Sequence, residues 1–359
     1  MSDNILFIRD LLEGIELSAE IVHIPEGDTF QAERKVCQLL EKGVVAIFGP
    51  KSKASSEHIK YITDSVEIPY IETRWNYRSQ NVIGKAGDYA FNLHPDITTL
   101  GGAYLDLIKA YGWKSITILY QDNDSMMTLK QIFDHTSAVE PGDEFRLVIK
   151  QLEENENGFR DVLKEVFFSE SNLIVLDCEK KILADVLMQA QQVGLISTGY
   201  YFLLTSLDAH VVDLENYKYG GTNFTAFRLI DVDKQEVQNV IWGIVEGIMD
   251  KDLRSANVIV PEGNLDTSTA LIYDSVHAFA LALNELKSVQ QVRQKPLDCS
   301  GTVAWAHGNS LVNYMKMVEF IGLSGQIKFD ASGLRTQFGM DLMELQMPGL
   351  VRSGKIFGH

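Results

Sequence analysis

TFQAERKVCQLLEKGVVAIFGPKSKASSEHIKYITDSVEIPYIETRW, residues 29–75, is the stretch that decides the fold. Val36, Leu39 and Leu40 recur at helical spacing, which predicts an amphipathic helix over 29–42. Val44, Val45, Ala46, Ile47 and Phe48 form an unbroken apolar run, as expected of a parallel strand covered on both faces. Gly49-Pro50 ends that strand, and Ser52 can cap a second helix reaching to about Ser65. A further strand follows. In open α/β sheets the carboxyl end of a strand, beside a helix start, is where ligands bind. The segment is therefore predicted to be a binding site or the remnant of one.

Working outward, the chain has 359 residues, more than one typical domain, so two domains are expected. Its 45% hydrophobic and 23% charged residues mark a globular chain rather than a disordered one. The net charge of −17 argues against nucleic acid and anionic membrane surfaces, which need a surplus of positive charge. No apolar run approaches the roughly 18 residues of a transmembrane helix. MSDNILFIRDLL lacks a basic leader region and a small-residue cleavage site. An intracellular protein or a mature ectodomain is expected on these grounds.

The α/β alternation continues. KSITILY (114–120), NLIVLD (172–177) and YYFLLT (200–205) have strand-like length, with helical segments near 124–136, 157–169 and 179–193. Strands separated by helices imply right-handed βαβ units and parallel sheets. Val237, Val240, Ile241, Ile244, Val245 and Ile248 share one face of a predicted helix near 233–251. TSTALIYDSVHAFALALNELKS (267–288) is apolar nearly all round and reads as a buried helix. A loop around 289–305 carries Pro296, Cys299 and Gly301; a last helix is expected near 309–322, then the strand QIKFD (326–330) and the turn Ala331-Ser332-Gly333.

Motifs of catalysis are missing. The loop from Gly49 to Ser55 has neither the spacing nor the Gly-Lys-Ser/Thr of a phosphate loop, and there is no GxSxG, HExxH or CxxC. The eight histidines show no ligand-like pairing, so no metal and no cofactor is expected. His277 reads as a satisfied core histidine, and Asp122 with Asp124 as a solvated helix start. The three cysteines, Cys37, Cys178 and Cys299, read alone, fit free buried thiols as well as a disulfide framework.

Several stretches, in order along the chain, carry a resemblance. They are DTFQAERKVCQLLEKGVVAIFGP (28–50), PYIETRW (69–75), LHPD (93–96), GWKSITILY (112–120), VLDC (175–178), GGTNFTAFRL (220–229), TALIYDSVHAFALAL (269–283) and LSGQIKFDASGLRTQFGMDLMEL (323–345). Together they resemble the amino-terminal domain of ionotropic glutamate receptors, closest to the kainate-type branch and to its invertebrate members. The resemblance implies a two-lobed α/β fold similar to the leucine-binding periplasmic proteins, with parallel sheets flanked by helices. Mapped here, lobe 1 takes 1–97 with 228–325, and lobe 2 takes 98–227 with 326–359. It also implies a strand and a long helix before 15–24, where this chain has only the short piece 4–12.

Function follows from the same resemblance. It implies an extracellular, non-catalytic domain that pairs receptor subunits and seeds their assembly. The implied partners are the same or related glutamate receptor subunits, with extracellular synaptic proteins as further candidates. Neither nucleic acid nor direct membrane insertion is implied. Positions matching Cys37 and Cys299 form a disulfide in that family, leaving Cys178 as an unpaired core thiol. Asn223-Phe224-Thr225 matches a family glycosylation sequon, and Asn123-Asp124-Ser125 is a second, poorer acceptor. The matching dimer surface is Phe30 with His58, Tyr61 and Ile62, although part of that helix face must pack on its own sheet. An alternative function is a small-molecule, amino-acid-like sensor using the cleft between lobes. Its candidate ligand groups are Ser52, Ser55, Arg74, Trp75, Tyr120 and Asp122, for which an N-cap and ordinary packing are the plainer roles.

Overall fold

The computed structural model describes residues 17–25, 27–74, 89–123, 125–137, 145–169, 171–249 and 265–357. It is an α/β protein whose chain divides into two compact units: residues up to Asp96 with Val232–Phe338, and Ile97–Asp231 with residues from Gly339 onward.

The first unit begins with the segment that decides the fold. Helix α1 (Thr29–Lys42) is started by Asp28, whose carboxylate accepts from the Gln31 amide at 2.8 Å, and ended by Gly43 at φ 84°. Ala32, Val36 and Leu40 recur every four residues and are its buried stripe. Strand β1 (Ile47–Phe48) is shorter than the apolar run predicts and is not covered on both faces. Only Ile47 is fully buried; Phe48 is 40% exposed and meets the Phe279 ring edge-on at 5.9 Å. Helix α2 (Lys53–Val66) starts after Ser52, whose hydroxyl makes no capping bond. Strands β2 (Tyr70–Glu72) and β3 (Ala90–Asn92) complete a parallel sheet in the order β1-β2-β3.

The second unit carries a seven-stranded sheet in the order β12 (Gly349–Phe357), β11 (Gly339–Gln346), β8 (Asn223–Arg228), β7 (Tyr201–Leu204), β6 (Leu173–Asp177), β4 (Ser115–Tyr120) and β5 (Arg146–Gln151). Helix α3 (Ile97–Ala110) leads into β4 (Ser115–Tyr120). A 3₁₀ turn (Ser125–Leu129) and helix α4 (Lys130–Ser137) then precede β5 (Arg146–Gln151). Next come α5 (Arg160–Phe168), β6 (Leu173–Asp177), α6 (Lys180–Val193), β7 (Tyr201–Leu204) and β8 (Asn223–Arg228). All strands from β5 through β8 run parallel, as alternating strands and crossover helices require. Phe202, Leu204, Phe224 and Ala226 point to one side and pack on α5 and α6. Tyr201, Leu203, Asn223, Thr225 and Phe227 point to the other, where the Phe227 ring lies 5.1 Å from that of Tyr104 in α3.

Helices α7 (Gln235–Met249) and α8 (Thr267–Val289) return to the first unit. There the expected helix over 309–322 is corrected: α9 (Gly308–Met317) stops at Met317, and β9 (Glu319–Gly322) pairs antiparallel with β10 (Gly325–Lys328). The two-residue turn between them explains the change. The amides of Leu323 and Ser324 donate to the buried Asp274 carboxylate of α8 at 2.8 and 2.9 Å, and a Cβ on Gly322 would lie 2.4 Å from that carboxylate. The same packing places 326–338 with the first unit, where the resemblance assigned them to lobe 2. Fully buried Arg335 lies among first-unit acceptors: Leu93 O, Ser324 Oγ and O, and Gln326 O, at 2.7–3.2 Å. Hairpin β11 (Gly339–Gln346) and β12 (Gly349–Phe357) closes the second sheet against β8.

Candidate functional site

Helices α1 and α2 carry the residues that the resemblance assigned to pairing, and each exposes one aromatic ring. Ser55, Ser56, Ile59, Thr63 and Val66 form the buried side of α2, and that periodicity turns His58 and Tyr61 outward. Tyr61 is 76% exposed and Phe30, in the first turn of α1, 72% exposed; Ile62 is half-buried at the margin. Core packing is thereby excluded as the role of Phe30 and Tyr61 in this chain. Exposed Glu33, Arg34 and Glu57 supply polar surroundings. Exposed aromatic residues are, in general, enriched at the hot spots of protein interfaces.

The loop after α8 is held beside this surface. Cys37 of α1 is bonded to Cys299, with the two Cα atoms 5.4 Å apart. Two backbone bonds continue the attachment: the Leu297 amide donates to Leu40 O and the Trp305 amide to Val66 O, each at 2.9 Å. Trp305 is buried, and its indole N–H donates to Arg293 O at 3.0 Å. Gly308 is required here, because a Cβ would lie 1.8 Å from Glu67 O. Sequence reading placed the loop but missed Trp305 as its pin.

The cleft candidates are less provided for. Ser52 is half-buried and Ser55 fully buried at the start of α2, and Arg74 follows β2. Trp75 lies outside the described residues. In the second unit Tyr120 is half-buried at the end of β4 and Asp122 exposed just beyond it. At the start of α2 the protein supplies its own carboxylate. Ser56 Oγ donates to buried Glu72, and the Tyr70 hydroxyl lies 2.6 Å from Ser56 Oγ. Burial, with the Glu72 charge added, pushes the Tyr70 hydroxyl far above its ordinary range, so it stays protonated. Ser56 of the first turn of α2 is thus engaged by the protein's own buried carboxylate.

The remaining site residues lie apart. Asn223 is exposed at the first position of β8, whereas Phe224 and Thr225 of its sequon are buried in the sheet. Asn123 is exposed after β4. His277 is half-buried and stacks on Phe320 with centroids 5.1 Å apart; burial lowers its pKa, with Asp274 opposing. No group of His, Cys, Asp or Glu suited to a metal occurs among the described residues. Free Cys178 is buried, and burial with neighbouring Asp177 and Glu179 pushes its thiol up to about 12. Native protein is therefore expected to show no reaction with a thiol-specific disulfide reagent at pH 8, and one thiol per chain after denaturation; rapid native labelling would contradict that environment.

Residues 5–347 match the family described as Receptor family ligand binding region, whose fold is the periplasmic-binding-protein-like α/β class. The chain is 30% identical over 349 residues to glutamate receptor ionotropic, kainate 1 of Mus musculus, covering 96% of this chain and 40% of that protein. It is 29% identical over 355 residues to the protein of the same name from Homo sapiens, covering 98% and 37%. It thus spans about two fifths of the length of these relatives, whose names are those of receptors. No helix among the described residues is long and apolar enough to cross a membrane. The chain belongs to the receptor family ligand binding region, and its similarity falls in the kainate branch of the ionotropic glutamate receptors.

Proposed function

We propose that this chain is the extracellular, non-catalytic assembly domain of a kainate-type receptor subunit, which pairs with the same or a related subunit through the outer sides of α1 and α2. The observation that carries the reading is the exposure of Phe30 and Tyr61 on two helices whose neighbouring loop is fixed by the Cys37–Cys299 bond. Burying a phenyl ring contributes about 1.5–3 kcal/mol, enough for one residue to dominate a modest interface. His58 and Ile62 complete the surface at its margin. Asn223, and less favourably Asn123, accept N-linked glycans on the secretory route that an extracellular domain takes.

Sedimentation equilibrium of the glycosylated domain tests the reading. Wild type should dimerise at micromolar or tighter affinity, and Phe30→Ala should weaken that by tenfold or more, equivalent to about 1.4 kcal/mol. A monomer at high concentration would exclude homodimerisation.

A further inference from the structure

The second unit carries an aromatic surface that subunit pairing through α1 and α2 does not use. Tyr201 opens β7, and its ring meets Trp113 edge-on with centroids 6.1 Å apart. The Trp113 ring lies 5.8 Å from that of Tyr111, just past the end of α3. Tyr201 is 38% and Tyr111 42% exposed, while Trp113 is buried behind them. The Tyr111 hydroxyl donates to Glu344 at 3.0 Å and also interacts with the Thr225 side chain, so its ring is held in place rather than free to turn.

Asn223 lies within this surface. It is the register partner of Tyr201 in the parallel β7–β8 pair, so the two side chains leave the same face of neighbouring strands about 4.8 Å apart. Thr225, beside the Tyr111 hydroxyl, is two residues along the same strand and on the same face. The exposed asparagine thus has the Tyr201 ring beside it on the neighbouring strand and the Tyr111 hydroxyl two residues further along its own strand, with both rings backed by Trp113.

We propose that these rings form a bed for the carbohydrate attached at Asn223. The first N-acetylglucosamine lies along Tyr201 and Tyr111, so that the glycan is part of the folded surface rather than a free appendage. The chemistry fits: pyranose C–H groups carry partial positive charge and pack on the negative face of an aromatic ring, while the sugar hydroxyls remain in water. The occupant is tethered at the edge of the bed, so its local concentration is high without a separate binding event. The inference rests on glycosylation of Asn223, which belongs to the proposed extracellular reading.

The test is a cycle of variants made in a host that adds N-linked glycans and trimmed enzymatically to one N-acetylglucosamine. Peptide mass analysis first gives occupancy at Asn223. The glycan increment is the thermal midpoint of the occupied protein minus that of Asn223→Gln, taken in wild type and in the Tyr201→Phe, Tyr201→Ser and Phe168→Ser backgrounds. Phe168 is exposed at the end of α5, a helix on the opposite face of the sheet. A positive increment in wild type, kept in Tyr201→Phe and Phe168→Ser and at least halved in Tyr201→Ser, is the expected result. Equal increments in all backgrounds, or none in wild type, would overturn the bed while leaving glycosylation intact. An unoccupied Asn223 would overturn both, and the mass analysis tells the two failures apart.

Discussion

Arg335→Met is expected to destabilise the first unit by about 3–5 kcal/mol, because several buried oxygens lose their donor at about 1–3 kcal/mol each and buried Asp274 loses a nearby positive charge. Arg335 is only 1% exposed and Asp274 fully buried. The guanidinium donates to four oxygens, one from Leu93 just past β3 and three from the β9–β10 hairpin, while Asp274 accepts from both turn amides and from Ser324 Oγ. Removing the cation leaves the carboxylate without its counter-charge and two segments without their common donor. Arg335→Lys should recover little, because one ammonium cannot reproduce the forked geometry. A urea titration is the measurement, and the double variant Arg335→Met with Asp274→Asn should cost clearly less than the sum of the singles. Strict additivity would mean that the two groups are not coupled. Burial raises the Asp274 pKa despite its hydrogen bonds, so its protonation favours the folded state. Its contribution is present at low pH and falls as pH rises through the folded value, so this site does not drive acid unfolding.

Loss of the Cys37–Cys299 bond is the second large effect, expected at about 2–5 kcal/mol because the bond restrains a long loop in the unfolded chain. The two residues are 262 apart in sequence. Cys37→Ser with Cys299→Ser should lower the urea midpoint and leave α1 and α2 folded, since Leu297 and Trp305 still hold the loop through backbone bonds. Limited trypsin digestion should show the local consequence as faster cleavage after exposed Arg293. An unchanged midpoint together with an unchanged cleavage rate would contradict a structural role for the bond.

The parts of this account legible in the sequence are those set by local periodicity. The stripe Ala32, Val36, Leu40 and the short apolar runs of the second unit specify helices and parallel strands without reference to anything distant. What was not legible depends on partners far along the chain. EFIG reads as the tail of a helix until Asp274 of α8 is known to receive the amides of the following turn. Val44–Phe48 reads as a doubly covered strand, yet Phe48 is part-exposed and finds its ring partner in Phe279. Arg335 gave no sign of burial in a polar stretch, because its acceptors are mostly backbone carbonyls, which sequence does not mark.

For the candidate surface the difficulty lay in separating an interface from a core. Tyr61 and Ile62 are adjacent on one helix, and hydrophobicity alone cannot tell which points inward. The turn of α2 resolves them: Ile59, Thr63 and Val66 take the buried side, leaving Tyr61 outside and Ile62 at the boundary. The cleft candidates were chosen for residue type at strand ends and helix starts. Sequence could not show that Glu72 from the neighbouring strand engages the first turn of α2.

The central claim is that association runs through the outer sides of α1 and α2. Sedimentation equilibrium of three proteins side by side tests it most directly: wild type, Phe30→Ala with Tyr61→Ala, and Ile321→Ala as a control. Ile321 is 82% exposed on β9, so its replacement removes a comparable apolar group from elsewhere on the first unit. A wild-type dimer, an unchanged control and a double variant that stays monomeric at concentrations at least tenfold above the wild-type dissociation constant are the predicted results. A double variant that dimerises as tightly as wild type would contradict the account.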